Sequence, residues 1–200
     1  MIESRLHVPL LVALLALTCP RPASAQDQDA GACWLRDATV EEAGQRISPL
    51  GVVAIPLGDA EATLCYSRPS ARDRTVMGEL VPYGGVPWRL GANEATAIHL
   101  PFAASIGGVE VEPGSYSLSA IAGESEWEIV VNRRYQRWGI PLDEAVRSED
   151  VGSFTRPVTA TDAHVETLTI AWRPHGDAMG HLVVSWEGTR VEIPVRRTDG

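Results

Sequence analysis

Apolar and polar residues alternate with a period of two along much of the chain after residue 47. The pattern is clearest in residues 115–121, 124–132, 166–172, 180–186 and 189–195. Successive side chains of a β-strand point to opposite faces, so each of these segments can present one apolar face to a core. The apolar positions concerned are Tyr116, Leu118, Ala120, Trp127, Ile129, Val131, Leu168, Ile170, Trp172, Leu182, Val184, Trp186, Val191, Ile193 and Val195.

Turn residues separate these segments. Gly58-Asp59, Gly107-Gly108 and Glu187-Gly188 are typical of tight turns between paired strands. Roughly nine or ten short strands, with turns about every 8–12 residues, favour a β-sandwich or a barrel. We predict an all-β fold with a single antiparallel β-sandwich, jelly-roll-like or of related topology. One helical turn is expected within residues 142–146, in an excursion across an end of the sheet, and a second short helix within residues 33–45.

The N-terminus has the anatomy of a secretory signal peptide over residues 1–25. Arg5 precedes an apolar run over residues 8–17, and Ala23-Ser24-Ala25 supplies a small-residue cleavage site. The run is too short to span a bilayer, which needs roughly 20 apolar residues. A lipoprotein signal using Cys19 is the alternative, and Thr18 disfavours it because a smaller residue is expected there.

Export therefore divides the chain into three parts. Residues 1–25 are removed, residues 26–46 form an N-terminal extension, and residues 47–197 form the β-sandwich domain. The expected location is the periplasm or the extracellular space.

The charge composition excludes several classes of function. The chain carries 26 acidic and 17 basic residues and a net charge of −9, so it repels phosphate backbones and is not expected to bind nucleic acid. All basic residues are arginine. Without lysine, neither Schiff-base catalysis nor a P-loop is available.

Two cysteines, Cys33 and Cys65, remain after removal of the signal peptide. In an oxidising compartment such a pair most often forms a disulfide, and a closed loop of about 30 residues contributes roughly 3 kcal/mol. A catalytic thiol is the alternative. No nearby histidine could activate it, so the disulfide is preferred.

The densest chemistry lies in residues 83–94, which combine three glycines, one proline and several polar side chains between strand-like segments. One hypothesis is a binding pocket in this loop for a small ligand, a glycan or an envelope protein. The alternative is a rigid crossover whose Arg89 satisfies backbone carbonyls. The candidate ligand-binding residues are Tyr66, Arg68, Tyr83, Trp88, Arg89, Asn93 and Glu94.

Two further functions stay open at this stage. A hydrolase-like enzyme could use Glu94 with Arg89 and Tyr66, and a purely structural domain would need no site at all. Arg68 beside Arg89 could form an anion site, whereas Arg72 and Arg74 are expected to be solvated.

Metal and cofactor sites are not predicted. His164, His175, Asp177 and His181 are loosely spaced around a predicted hairpin turn, and this spacing does not match a metal-binding motif. Glu124, Glu126 and Glu128 alternate on the face opposite Trp127, which indicates a solvent-exposed strand face rather than a catalytic carboxylate pair.

Several motifs together resemble the bacterial family called domain of unknown function 2911. They include Tyr66-Ser-Arg-Pro69, Trp88-Arg-x-Gly-Ala-Asn-Glu94 and Pro113-Gly-x-Tyr-Ser-Leu118, and the likeness runs from about residue 47 to residue 195. The resemblance implies an exported, mostly β domain of the bacterial envelope. It implies no reaction, because the activity of the family is not established. Pro87 looks like an insertion, and His99 stands where the family more often has threonine.

Overall fold

The alternating segments form two antiparallel β-sheets that bury their apolar faces against each other. The computed structural model describes residues 33–199. The strands are β1 Leu50–Leu57, β2 Ala60–Ser67, β3 Pro87–Trp88, β4 Thr96–Leu100, β5 Ala104–Ile106, β6 Val109–Val111, β7 Gly114–Ala122, β8 Glu126–Asn132, β9 Asp150–Pro157, β10 Thr159–Pro174 and β11 Met179–Arg197. The helices are α1 Val40–Gly44 and α2 Glu144–Arg147.

The two sheets confirm the predicted all-β sandwich. The larger has the order β1-β2-β4-β7-β8-β9, with β3 paired to β7, and the smaller has the order β10-β11-β5-β6. The apolar core between them includes Trp127, Ile129, Leu168 and Ile193, each no more than 1% exposed. The predicted signal peptide, Cys19 and residues 26–32 lie outside the described residues. Within residues 33–199, no helix is long and apolar enough to cross a membrane.

Two of the three predicted tight turns are confirmed. Leu57 faces Ala60 across the turn at Gly58-Asp59, and Ile106 faces Val109 across the turn at Gly107-Gly108. Gly58, Gly107 and Gly108 all have positive φ, the conformation that such turns require and that glycine adopts without steric cost.

The predicted turn at Glu187-Gly188 is wrong, because β11 runs without reversal from Met179 to Arg197. Glu187 instead has a φ of 54° at an irregularity in the pairing with β10. Its carboxylate accepts hydrogen bonds from the backbone N–H groups of Val76 and Met77, at 3.3 and 3.1 Å. The Glu-Gly pair therefore supplies a bulge-like kink that aims a side chain at a loop, which is a known use of such irregularities.

The excursion of residues 133–150 packs on the outer face of the large sheet. Asn132 donates to the carbonyl of Val146 in α2 at 2.7 Å and to the carboxylate of Asp150 at 2.8 Å. Ser117 and Ser119 of β7 consequently become buried on the face that a two-layer sandwich would leave to solvent. The predicted helical turn is confirmed as α2.

The described part of the N-terminal extension is anchored to the large sheet. Cys33 and Cys65 form the predicted disulfide, with a Cα–Cα distance of 5.7 Å. The expected short helix is α1, which begins with a capping box between Thr39 and Glu42. The disulfide thus holds a segment of little intrinsic stability against β2.

Loss of the disulfide is expected to lower the free energy of unfolding by about 3 kcal/mol, because it releases a loop of 32 residues in the unfolded chain. Urea unfolding of the Cys33→Ala variant measures the effect. Wild-type protein unfolded with a reductant is the matched control, and the two should agree. Unchanged stability in both would show that the crosslink contributes nothing.

Candidate functional site

A cluster of three tryptophans joins the two sheets at one end of the sandwich. Trp88 of β3 stacks on Trp186 of β11 with ring centroids 5.9 Å apart and an interplanar angle of 24°. Its edge meets Trp127 of β8 at 5.7 Å and 86°. β3 is only two residues long, and its pairing with β7 holds Trp88 in place. Both Trp88 and Trp186 also border a groove that opens to solvent.

This groove has a volume of about 440 Å³ and lies between residues 69–74 and residues 80–92. Its size is within the range of pockets that hold small molecules. We call it the arginine groove. Its polar lining includes Arg72, Arg74 and Arg89, its floor includes Trp88 and Trp186, and its apolar rim comprises Ile47, Leu80, Val86 and Ile140.

The three arginines of the groove are held by backbone carbonyls. Arg72 Nη2 donates to the carbonyl of Ile47 at 3.1 Å, and Arg74 Nε donates to that of Ala71 at 2.8 Å. Arg89 Nε donates to the carbonyl of Gly91 at 3.3 Å. These bonds orient the guanidinium groups, and none of the three forms a salt bridge with a carboxylate of residues 33–199.

Arg89 is the most enclosed of the three. It is partly buried, and burial lowers the pKa of its guanidinium from the ordinary arginine value. The shift means that the charged form is less well solvated there than in water. The Coulombic attraction of an anion beside Arg89 would offset part of this penalty.

The backbone beside these arginines adopts a conformation that side chains disfavour. Arg72, Asp73, Leu90 and Asn93 have φ between 53° and 58°. Leu90 is fully buried, and a bulky residue with positive φ is a real outlier. Such conformations persist only where the surrounding structure enforces them, and they concentrate at binding and catalytic sites.

Glu94 and Asn93, both predicted site residues, are satisfied inside the protein. Both carboxylate oxygens of Glu94 accept from Arg46 Nη1 at 2.9 Å, and Oε1 also accepts from the backbone N–H of Arg36 at 3.0 Å. Asn93 Nδ2 donates to the carbonyl of Ser48 at 3.0 Å. These two side chains lock the loop to the N-terminal segment and do not line the arginine groove.

Tyr66 and Arg68 do not line the groove either. The Tyr66 hydroxyl accepts from the backbone N–H of Ile170 at 2.9 Å, and burial raises the pKa of this phenol. Gly51 makes room for both side chains, since a Cβ there would lie 2.6 Å from the Tyr66 ring and 2.8 Å from Arg68 Cδ. Arg68 therefore does not line the arginine groove with Arg89, although the adjacent Pro69 does.

Tyr83 is partly buried beside Gly78 and does not line the groove either. Of the seven predicted site residues, only Trp88 and Arg89 do so. Arg72 and Arg74, which the sequence suggested were merely solvated, line it with them.

Two structurally important arginines were not predicted from the sequence. Arg46 pairs with Glu94 across 48 positions of sequence. Arg137, buried in the excursion, donates to the carbonyls of Arg134 and Gly139, each at 2.9 Å. Only the proximity of Arg137 to Trp138-Gly139 in a turn-rich stretch hinted at a role in organising a loop.

The histidines do not converge on a metal centre. The rings of His175 and His181 are 4.6 Å apart, and His181 Nδ1 is 3.3 Å from Glu192. His164 lies 3.3 Å from Glu166 instead. Across residues 33–199, no group of three or more His, Cys, Asp or Glu side chains is arranged to hold a metal ion.

Replacing Arg46 by Met is expected to lower the free energy of unfolding by roughly 2 kcal/mol, because the buried Glu94 carboxylate loses its charge partner. Arg46 remains partly exposed, which keeps the cost below that of a fully buried pair. Adding Glu94→Gln should recover part of the loss in a double-mutant cycle measured by urea unfolding.

The matched control is Arg147→Met, which removes a more exposed ion pair with Asp150 at 3.6 Å. Its effect should stay within about 0.5 kcal/mol. Equal effects of the Arg46 and Arg147 substitutions would refute the role of Glu94 as an anchor.

Comparison with known proteins identifies the family and no activity. Residues 48–195 match the family model described as "Protein of unknown function (DUF2911)". No curated protein and no solved structure matches the chain. The matched segment begins just before β1 and ends within β11, so it covers both sheets and the loops of the groove. The chain therefore belongs to the DUF2911 family.

Proposed function

We propose that this chain is a non-enzymatic binding module of the bacterial envelope and that it holds a small ligand in the arginine groove. The observation that carries the proposal is the groove itself. Trp88 and Arg89, two residues of the chemically dense loop, line a cavity of about 440 Å³ together with Arg72 and Arg74. Aromatic walls with a few oriented polar groups are typical of ligand sites.

Rigid support for the site strengthens the proposal. Trp88 is fixed between Trp186 and Trp127, and the end of the loop is fixed by Glu94 and Asn93. Because the loop is already ordered before a ligand binds, little conformational entropy is lost on binding, and the affinity is not reduced by the cost of ordering the loop.

The proposed location is the periplasm or the extracellular space. The signal-peptide pattern of residues 1–25 favours export. The Cys33–Cys65 disulfide agrees with it, since structural disulfides persist mainly in oxidising compartments.

A hydrolase-like mechanism with Glu94, Arg89 and Tyr66 has less support. Glu94 is bound by Arg46 and Arg36, and the Tyr66 hydroxyl is bound to the backbone of β10. A general base must reach the proton that it removes, and these two groups are occupied away from the groove. A purely structural role is the remaining alternative, and it would explain Asn93 and Glu94 but not the open groove.

A thermal-shift screen against small carboxylates, glycans and short peptides tests the proposal. A ligand at 100 times its Kd adds about 2.7 kcal/mol of stability, which should raise Tm by roughly 5–10 °C for a domain of this size. Val86→Trp and Ile140→Trp place bulk at the rim of the groove and should abolish the shift.

Val52→Trp is the matched control, because Val52 is an exposed apolar residue of β1 that does not line the groove. This variant should respond to the ligand as the wild type does. A ligand that stabilises all three variants equally binds elsewhere, and the absence of any hit would favour the structural alternative.

A further inference from the structure

The arginine groove combines a positive lining with an exposed apolar rim. Ile47, Leu80, Val86 and Ile140 are 75%, 38%, 47% and 52% exposed. They are four of the seven large apolar side chains that are exposed in the described part of the chain. Apolar surface that clusters in this way around a concave site is characteristic of a binding surface, whereas single exposed residues are not.

The charges of the lining are of one sign. Arg72, Arg74 and Arg89 line the groove, and no Asp or Glu of residues 33–199 does. Among residues 33–199, no carboxylate lies within 4.0 Å of any of these three guanidinium groups. Because the chain has 26 acidic and only 17 basic residues, its composition would predict more acidic than basic side chains in the lining.

The nearest acidic contact is made by the backbone. Glu166 accepts from the N–H of Arg72 at 2.8 Å, and this bond is the main cause of the lowered pKa of Glu166. The guanidinium of Arg72 donates to the carbonyl of Ile47, and its charge makes only a minor further contribution to the lowered pKa of Glu166. A carbonyl orients a guanidinium without neutralising it, and the remaining N–H groups of the fork can bind a carboxylate.

We propose that the natural occupant of the arginine groove is a single-chain amphiphile with a carboxylate head group. The head group pairs with Arg89 and with Arg72 or Arg74, and the apolar chain lies along Trp88 and the rim. This inference rests on the proposed function, since it names the ligand class of the same site. The volume of about 440 Å³ suits one small molecule and is too small for a large partner surface.

Three ligands of equal chain length test the head group: decanoate, decanol and decyltrimethylammonium, each below its micelle concentration. A change in the wavelength or intensity of tryptophan emission is a suitable signal because Trp88 and Trp186 border the groove. Decanoate should bind at least tenfold more tightly than decanol, and the cation should not bind. Octanoate should bind roughly tenfold more weakly than decanoate because it buries two fewer methylenes.

Matched arginine variants locate the head group. Arg72→Gln/Arg74→Gln alters two exposed side chains and should weaken decanoate binding about tenfold while leaving decanol binding unchanged. Arg89→Gln should have a similar effect. Arg196→Gln removes one charge from β11 outside the groove and is the net-charge control for Arg89→Gln, and Arg190→Gln/Arg196→Gln removes two and is the control for the double variant. Urea unfolding confirms that each variant is folded.

Several outcomes would overturn the inference. Equal binding of decanoate and decanol would show that the carboxylate head group does not contribute to affinity. The inference would then be wrong, but the proposed function would still hold for a neutral ligand. Tighter binding of decyl phosphate, or of a peptide through a free C-terminal carboxylate, would replace the ligand class. If neither decanoate nor decanol binds, the inference is wrong, and a hit from the wider ligand screen would still support the groove as a site.

Discussion

The contact between Trp88 and Trp186 is the interaction on which this end of the sandwich depends. Trp88 belongs to a two-residue strand of the large sheet and Trp186 to a long strand of the small sheet, so their stacking joins the two layers. Trp127 completes the cluster from within the core, where it is 1% exposed. Large aromatic rings bury much area with few rotatable bonds, so they make a stiff junction. The rings of Trp88 and Trp186 also form the floor of the arginine groove, and the site is therefore continuous with the core.

Polar contacts fix the loop that leads away from this cluster. Asn93 and Glu94 bind Ser48, Arg36 and Arg46, all of which precede β1 in the chain. The disulfide holds that N-terminal segment to β2 and so places the arginine partners of Glu94. A buried carboxylate needs a charge partner and hydrogen bonds to be tolerated at all. The two parts of the loop therefore have different roles. Trp88 and Arg89 face the groove, whereas Asn93 and Glu94 anchor the loop to the N-terminal segment.

The predictions from sequence succeeded where the determining interactions are local. Alternation predicted the β-strands, two of the glycine turns were located correctly, and the cysteine pair was predicted as a disulfide. The prediction of a turn at Glu187-Gly188 was wrong. A positive φ at Glu187 is compatible with a kink within a continuous strand as well as with a reversal of the chain. At the site, Trp88 and Arg89 were identified from a dense motif. Arg72 and Arg74 were predicted to be solvated, and both are exposed; nothing in their own segment reveals that they also line a groove with residues 80–92.

The sequence by itself determined the fold class, the disulfide and the family, because alternation, cysteine count and motif strings are properties of short segments. Only the tertiary structure decided which polar residues of the dense loop are free to meet a ligand. Glu94 is neutralised by Arg46 from 48 positions away, whereas Arg89 is left without a carboxylate partner among residues 33–199. Whether a charge is compensated depends on which segments the fold brings together, and that pairing is set by long-range packing of the two sheets.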